Sequence, residues 1–377
     1  MTMGIKQTQQ GGDYSRLEQV ETLNDHSLHV GNVVIQVGIT EERARAICQE
    51  TYSSIREMTD EALAVADGRV AQLENRLIPK MQQLDERLSA FGDPDFQLQL
   101  KSAQRTAAVT DRDADYDLLS ELLLSRVTTQ SGRKELTGIS RAIQIVNEVD
   151  DDALCALTVF YAISRYSPVQ PYYNEGISRL ATMFDKLLYS PLPDGDDWLE
   201  HLDLLGAVRI GPIGKFKPFG EVVKIKMPGY INPGIPMDSE AHQKAIEILA
   251  AAGLNDDLME KSPFCEGYIR VPTVNRESIR NLRVVHITDG GMETSVPFTE
   301  TQISAFEAIC DLYKSDEKTQ KRSLDAFLRE WDAHPSLQKA HTWWDSLPSS
   351  FSITAVGNAL AYTNARRCDA SLPEIRL

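Results

Sequence analysis

The sequence has no long apolar run. No stretch of its 377 residues approaches the roughly 18 consecutive apolar residues of a membrane-spanning helix. The first ten residues, MTMGIKQTQQ, also lack the apolar segment of a signal peptide. These two absences predict a cytoplasmic protein without a membrane partner.

Cysteine is scarce and scattered, and it never occurs as a CxxC pair. The five cysteines are Cys48, Cys155, Cys265, Cys310 and Cys368. An odd number of isolated cysteines argues against a disulfide framework and against a structural zinc site, and it suits a reducing compartment. Cys48, Cys155 and Cys310 lie in apolar helical patterns, which predicts that their thiols are buried.

Catalytic and cofactor motifs are missing as well. There is no GxSxG nucleophile motif, and Gly31 and Gly38 are too far apart for a phosphate-binding loop. One group of metal-ligand residue types occurs near the C-terminus, and it consists of Glu330, His334, His341 and Asp345. Pro335 predicts a helix break inside this group, so we expect packing histidines, no metal or other cofactor, and no catalytic residues.

Acidic residues outnumber basic ones. Lys and Arg total 39 against 55 Asp and Glu, which gives a formal net charge of −16. Such a surface repels nucleic acid and acidic membranes over most of its area. Any contact with nucleic acid must therefore be local.

The sequence does contain a short β-branched segment, HSLHVGNVVIQVG, at 26–38. Gly31 and Asn32 separate its two apolar runs, which predicts a strand or a tight hairpin. So small an element is not stable alone in water, so the chain itself or another subunit must cover it. We predict self-association through five of its residues, which are Leu28, Val30, Val33, Ile35 and Val37.

Helical periodicity follows this segment. Thr40 is placed to cap a helix, and apolar residues then recur with helical spacing to about residue 166. Asp93 followed by Pro94 predicts the start of a further helix. A coiled coil is the alternative for the long run that ends near Phe91, but its apolar spacing keeps no strict heptad, which favours a bundle.

Prolines, glycines and β-rich stretches gather between about 167 and 298. There, DDWLEHLDLLGAVRIGPIGKFKPFGEVVKIKMPGYI predicts a short helix, a strand at 207–210 and a second strand at 222–227, as in a winged-helix module. The candidate nucleic-acid contacts of this wing are Lys215, Phe216, Lys217, Phe219, Lys224 and Lys226. We favour the plainer interpretation, a solvated hairpin whose lysines discourage edge pairing.

The last region is again helical. Thr299 and Gln302 form the pattern of a capping box, and Thr354 is placed to cap a final helix. The sequence thus predicts a mainly α fold with a small β component. Its four regions are a β-segment at 1–40, a helical bundle at 41–166, a mixed α/β, winged-helix-like region at 167–298 and a helical region at 299–377.

Several stretches carry a resemblance to a known family. They are QQGGDYS at 9–15, GNVVIQVGIT at 31–40, DPDFQLQLKSAQRTA at 93–107 and FSITAVGNALAYTNARR at 351–367. These stretches resemble uncharacterised bacterial proteins with locus-tag names from Legionella and Veillonella. That family has no established activity, fold or catalytic residues, so the resemblance implies none here. Its occurrence among accessory bacterial genes makes a role in defence against phage a hypothesis.

The sequence leaves two function classes and a weaker third. We predict a non-enzymatic, cytoplasmic bacterial assembly or sensor protein that forms a homo-oligomer through its N-terminal β-segment. A second protein of the same operon is a further candidate partner. The alternative is a nucleic-acid-binding protein that uses the Lys/Phe wing, and the weaker alternative is a metal-dependent enzyme at His334, His341 and Asp345.

Overall fold

The computed structural model describes most of the chain. The described residues are 27–30, 33–36, 39–52, 60–85, 88–128, 132–211, 214–287 and 293–373. They form fifteen α-helices and nine short strands, so the prediction of a mainly α fold with a small β component is confirmed. No helix in these ranges is both long and apolar enough to cross a lipid bilayer.

The chain divides into two compact units, residues 1–129 and 130–377. The elements of the first unit are β1 (Ser27–Val30), β2 (Val33–Gln36), α1 (Glu41–Tyr52), α2 (Asp60–Leu84), α3 (Pro94–Val109) and α4 (Asp113–Thr128). Helices α2, α3 and α4 pack on one another and bury Leu73, Leu77 and Leu100 completely. The Asp93 carboxylate accepts hydrogen bonds from the Asp95 and Phe96 amides at 2.7 and 3.1 Å, which confirms the predicted start of α3.

The second unit holds the predicted boundaries at 166 and 298 within it. Its helices are α5 (Arg133–Ile145), α6 (Asp151–Arg165), α7 (Tyr173–Leu187), α8 (Asp197–Leu204), α9 (Phe219–Lys226), α10 (Pro228–Ile231), α11 (Glu240–Ala251), α12 (Glu300–Asp311), α13 (Glu317–Asp332), α14 (Pro335–Ser346) and α15 (Ala355–Cys368). Its strands are β3 (Val208–Ile210), β4 (Ile235–Pro236), β5 (Glu260–Lys261), β6 (Tyr268–Arg270), β7 (Arg283–Ile287), β8 (Glu293–Pro297) and β9 (Phe351–Ile353). The predicted capping box of Thr299 and Gln302 begins α12.

Strands β3 and β9 form an antiparallel pair although residues 211–350 lie between them in the sequence. Val208 pairs with Ile353, and Ile210 pairs with Phe351. Helix α8 directly precedes β3 and contacts it, and α15, which follows β9, packs on α5 and α6. Helix α8 thus leads into a two-stranded ribbon, and a long insertion lies between the two strands of this ribbon.

The start of α15 is joined closely to β3. The Thr354 hydroxyl accepts a hydrogen bond from the Gly357 amide at 3.2 Å and donates one to the Gly206 carbonyl at 2.7 Å. The predicted cap at Thr354 is therefore confirmed. Gly357 lies so near that a Cβ atom there would clash with the Ala207 carbonyl oxygen. Only glycine permits this approach without displacing the strand.

The insertion carries a small core of its own. In its described residues, β4, β6 and β5 form a three-stranded sheet in that order, and β7 pairs with β8. Helices α11 and α12 pack beside them. The buried residues of this core include Ile235, Leu249, Ile279, Phe306 and Ile309.

The prediction that residues 222–227 form the second strand of a wing is wrong. Residues 219–226 form helix α9, and the partner of β3 is β9. Phe219, Val223 and Met227 are buried at a spacing of four residues, which is helical spacing, whereas Ile225 is 62% exposed. A strand would have placed Ile225 and Val223 on the same face. Packing of the helical face therefore outweighs the β-branched composition of this stretch.

Candidate functional site

Strands β1 and β2 form the hairpin that the N-terminal sequence predicts. Leu28 pairs with Ile35, and Val30 pairs with Val33. Because paired residues and alternate residues share a face of a hairpin, these four positions lie on one face. The positions of the opposite face are Ser27, His29, Val34 and Gln36. Val37, the fifth predicted contact, lies outside the described residues.

The hairpin is a sheet of its own. Within the described part of the chain, neither strand pairs with a third strand. Each outer edge thus presents backbone N–H and C=O groups that another chain can pair with. A two-stranded hairpin is also marginally stable in water unless something covers its apolar face. Its geometry is therefore suited to self-association.

Helix α1, which follows the hairpin, is tied to the bundle by polar contacts. The Thr40 hydroxyl accepts a hydrogen bond from the Arg43 amide at 3.2 Å, as the predicted cap requires. The Gln82 side chain donates to the Glu41 carboxylate at 3.0 Å, and this bond lowers the pKa of Glu41. Fully buried Gln104 donates to the Cys48 carbonyl at 2.9 Å. The hairpin is thus followed by a docked helix.

The cysteines are unsuited to nucleophilic chemistry. Cys48, Cys155 and Cys265 are buried, and Cys310 and Cys368 are partly buried. Burial raises the pKa of the Cys48 thiol to about 12 and the pKa values of Cys155 and Cys310 to about 11. Since the thiolate is the nucleophile, these three thiols are unreactive near neutral pH.

The six candidate nucleic-acid contacts do not form a common exposed ribbon. Phe219 is fully buried, and Phe216 lies with its ring 5.4 Å from that of Trp344 and 5.2 Å from that of Phe351. Lys215, Lys217 and Lys224 are exposed. The Lys224 ammonium lies 3.9 Å from the Glu221 carboxylate. The two aromatic rings are thus committed to packing.

The sixth candidate, Lys226, points into the protein. Its ammonium donates hydrogen bonds to the carbonyl of Ile163 and, at 2.6 Å, to the carbonyl of Tyr166. Both carbonyls belong to the C-terminal end of α6, where a cation is favoured by the helix dipole. Burial, with a smaller contribution from Arg165, lowers the pKa of Lys226 to about 8. Lys226 therefore anchors α9 to α6.

The histidine group is also structural. His341 Nδ1 lies 2.8 Å from an Asp332 oxygen, and Nε2 lies 3.4 Å from an Asp345 oxygen. The other Asp345 oxygen accepts a hydrogen bond from the Phe219 amide at 2.7 Å, at the start of α9. The Phe219 ring packs 4.7 Å from the imidazole. These contacts hold α9 against α14.

The four residues of the weaker metal-site alternative, Glu330, His334, His341 and Asp345, form no common cluster in the described residues. In the described ranges, no group of three or more His, Cys, Asp or Glu side chains could hold a metal ion. Glu330 and His334 form none of the described hydrogen bonds or ion pairs to His341, whose carboxylate partners are Asp332 and Asp345. Asp332 was not among the predicted residues. It precedes the helix break at His334 and Pro335, and the turn brings it back to α14.

A nucleic-acid-binding helix before the β3–β9 ribbon would be basic, but the helix at this place is acidic. Helix α8, directly before the β3–β9 ribbon, carries Asp197, Glu200 and Asp203 and no lysine or arginine. Its carboxylates would repel a phosphate backbone.

The strand that pairs with β3, which is β9, had one local signal in the sequence. This signal is the short apolar segment Phe351–Ile353 directly before the cap at Thr354.

These features define a helical protein of two compact units, and within the described residues its N-terminal hairpin pairs with no third strand. A family model matches residues 38–373. The chain belongs to this family, which is uncharacterised, is named after a Veillonella locus tag and has no established activity. No curated protein and no solved structure matches the chain.

Proposed function

We propose that this protein is a non-enzymatic assembly or sensor protein of the bacterial cytoplasm that self-associates through the β1–β2 hairpin. The observation that carries the proposal is the hairpin register. It gathers Leu28, Val30, Val33 and Ile35 on one face of a sheet whose two edges are open within the described part of the chain. A second copy supplies the same apolar face and the same edges. Pairing of two hairpins therefore covers the apolar faces and provides partners for the backbone groups at the edges.

Substitutions that introduce a charge on one face or the other of the hairpin test the proposed self-association. We expect the intact chain to form an oligomer, and Ile35→Asp to reduce it to the 42.1 kDa monomer because a carboxylate would be buried in the contact. The matched control is Val34→Asp, one residue away on the opposite face, which leaves the oligomer intact. Light scattering after size exclusion measures the masses, and circular dichroism confirms that both variants are folded.

Two results would reject this proposal. One is a monomeric intact chain over the whole accessible range of concentration. The other is equal dissociation by Ile35→Asp and Val34→Asp, because the apolar face would then have no special part in the contact.

The nucleic-acid alternative has less support. Phe219 and Lys226 are committed to internal contacts, and the helix before the ribbon is acidic. The enzyme alternative has only His341, whose two carboxylate partners hold helices together. We retain defence against phage as the proposed biological setting of the assembly, on the strength of the family resemblance alone.

A further inference from the structure

A groove of about 730 Å³ opens on the second unit between the segment after α7 and helix α14. Its volume lies within the range of small-molecule binding sites. Leu188, Tyr189 and Asp194 line it on the side of the segment, and Lys339 and Trp343 line it on the side of the helix. None of these residues belongs to the hairpin or to the predicted sites.

The aromatic surfaces of the groove are held in place. The Tyr189 hydroxyl accepts a hydrogen bond from the amide of fully buried Asn364 at 3.1 Å, and the Arg367 guanidinium lies 5.1 Å from the Tyr189 ring centroid. Tyr189 nevertheless keeps 40% of its surface exposed. Trp343 is 5% exposed, and its indole N–H donates to the Pro193 carbonyl at 3.1 Å. Ring surfaces fixed in this way lose little entropy when a ligand binds.

The groove also carries one free charge of each sign. Lys339 and Asp194 are both exposed, and neither has a hydrogen-bond or ion-pair partner in the described part of the chain. Asp194 lies on the segment after α7, whereas Lys339 lies on α14, so the two charges belong to different walls. A ligand that satisfies both must be zwitterionic and must extend from one wall to the other.

These requirements exclude simpler ligands. A mononucleotide would bring a phosphate to a groove that offers one cation and one carboxylate, on a chain whose net charge is −16. A free amino acid carries its ammonium and carboxylate on the same carbon atom, so it holds its two charges at one short separation. A short peptide has its two charges at opposite ends and can carry an aromatic side chain between them.

We propose that this groove binds a short zwitterionic peptide with an aromatic side chain. The peptide ammonium pairs with Asp194, its carboxylate pairs with Lys339, and its ring contacts the exposed ring of Tyr189. The proposal concerns residues of the second unit alone and does not depend on self-association through the hairpin. Ile35→Asp is therefore expected to leave peptide binding unchanged, so the two proposals can fail separately.

A peptide length series tests the proposal with the intact protein. Calorimetric titration compares phenylalanine with Gly-Phe, Gly-Phe-Gly and Gly-Gly-Phe-Gly. We expect at least one peptide to bind more tightly than phenylalanine. N-acetylation or C-amidation of that peptide should each weaken binding by roughly fivefold, which corresponds to the loss of one exposed ion pair.

Charge-neutral variants assign the ends of the peptide. Asp194→Asn should weaken the free peptide but not its N-acetylated form, and Lys339→Gln should weaken the free peptide but not its C-amidated form. The matched controls are Asp256→Asn and Lys321→Gln, which remove exposed charges outside the groove. All four substitutions are on exposed residues, so we expect folded proteins.

The proposal is overturned if no peptide of the series binds at millimolar concentration. It is equally overturned if the blocked peptides bind as well as the free ones, or if adenosine monophosphate binds and the peptides do not. Equal weakening by the control variants would also reject it, because the effect would then arise from net charge rather than from the groove.

Discussion

Residues 27–36 and 207–227 are similar in sequence but differ in structure. Each contains short β-branched runs on either side of a segment with glycine. In the first, β1 pairs with β2 across a two-residue link. In the second, β3 pairs with β9, and the other β-branched run is helix α9. The two neighbouring runs thus pair with each other in the first segment, whereas each run of the second segment has a distant partner.

The distant partners of the second segment can be named. Val208 on β3 is fully buried, and the Ala207 carbonyl accepts the Thr354 amide hydrogen bond at 3.0 Å. Phe219 and Lys226 anchor α9 on α14 and α6. The described part of the N-terminal unit offers no third strand to β1 or β2. Distant tertiary contacts thus accompany the fold of one segment, whereas strands adjacent in the sequence pair with each other in the other.

Removal of Phe351 is expected to have the largest effect on this comparison. Its buried ring lies 4.4 Å from that of Phe160 and 5.7 Å from that of Trp198. Phe351→Ala leaves a cavity beside the β3–β9 pair, so we expect the free energy of unfolding to fall by about 3–5 kcal/mol. Urea denaturation followed by tryptophan fluorescence measures the change.

The control for this prediction is the next residue of the same strand. Ser352 is exposed, so Ser352→Ala should change the free energy of unfolding by less than about 0.5 kcal/mol. Similar effects of the two substitutions would mean that β9 is not packed against the aromatic core.

Two helical glycines provide the second prediction. A methyl group at Gly357 meets the Ala207 carbonyl, which belongs to the backbone and cannot turn away. Gly357→Ala should therefore lower the free energy of unfolding by about 1–3 kcal/mol. Gly68 lies in α2 with open space around it, so Gly68→Ala should raise the free energy of unfolding by about 0.5–1 kcal/mol.

The opposite signs make this pair informative. Each substitution replaces a helical glycine with the same residue, so the helix propensity gain is common to both. Thermal unfolding of the two variants beside the intact chain measures them. Stabilisation by both would show that β3 and α15 are not in close contact.

Much of the fold follows from local sequence. The caps at Asp93, Thr299 and Thr354 begin helices where the sequence predicts them, because a cap and the amides that it accepts from lie within a few residues. The hairpin is also local. The β3–β9 pairing is not, because the strand after the long insertion has only three residues and no turn points to its partner.

The interpretation of the candidate sites fails for a related reason. The sequence predicts that Lys226 and Phe219 are exposed on a hairpin at 211–227, but in helix α9 both fall on the buried face with Val223. A short apolar run fits both periods. The sequence spacing indicates that His341 pairs with Asp345, but it does not indicate the closer partner. This partner, Asp332, lies on the preceding helix. The groove beside Tyr189 has no motif, since segments that are distant in sequence form it.

A pH-dependent effect is expected from the ionisation of Lys226. Its pKa is lowered to about 8 in the folded protein, whereas an unfolded chain gives a lysine its ordinary value of about 10.4. Between these values the unfolded state binds more protons than the folded state. The Lys226 contribution to the free energy of unfolding therefore rises with pH across this window, and the cost of burying the ammonium is fully present below it.

Comparison with Lys226→Met isolates this contribution. Buried tyrosines and cysteines with raised pKa values, such as Tyr161 and Cys155, titrate in the opposite sense, because the unfolded state loses their protons first. They are common to both proteins, so the difference in free energy of unfolding removes them. We expect this difference, intact chain minus variant, to rise by about 2 kcal/mol between about pH 8 and pH 10. A solvated lysine on an exposed strand would leave the difference in free energy of unfolding independent of pH. That result would contradict the docking of α9 through Lys226. It would favour the wing that the sequence predicts.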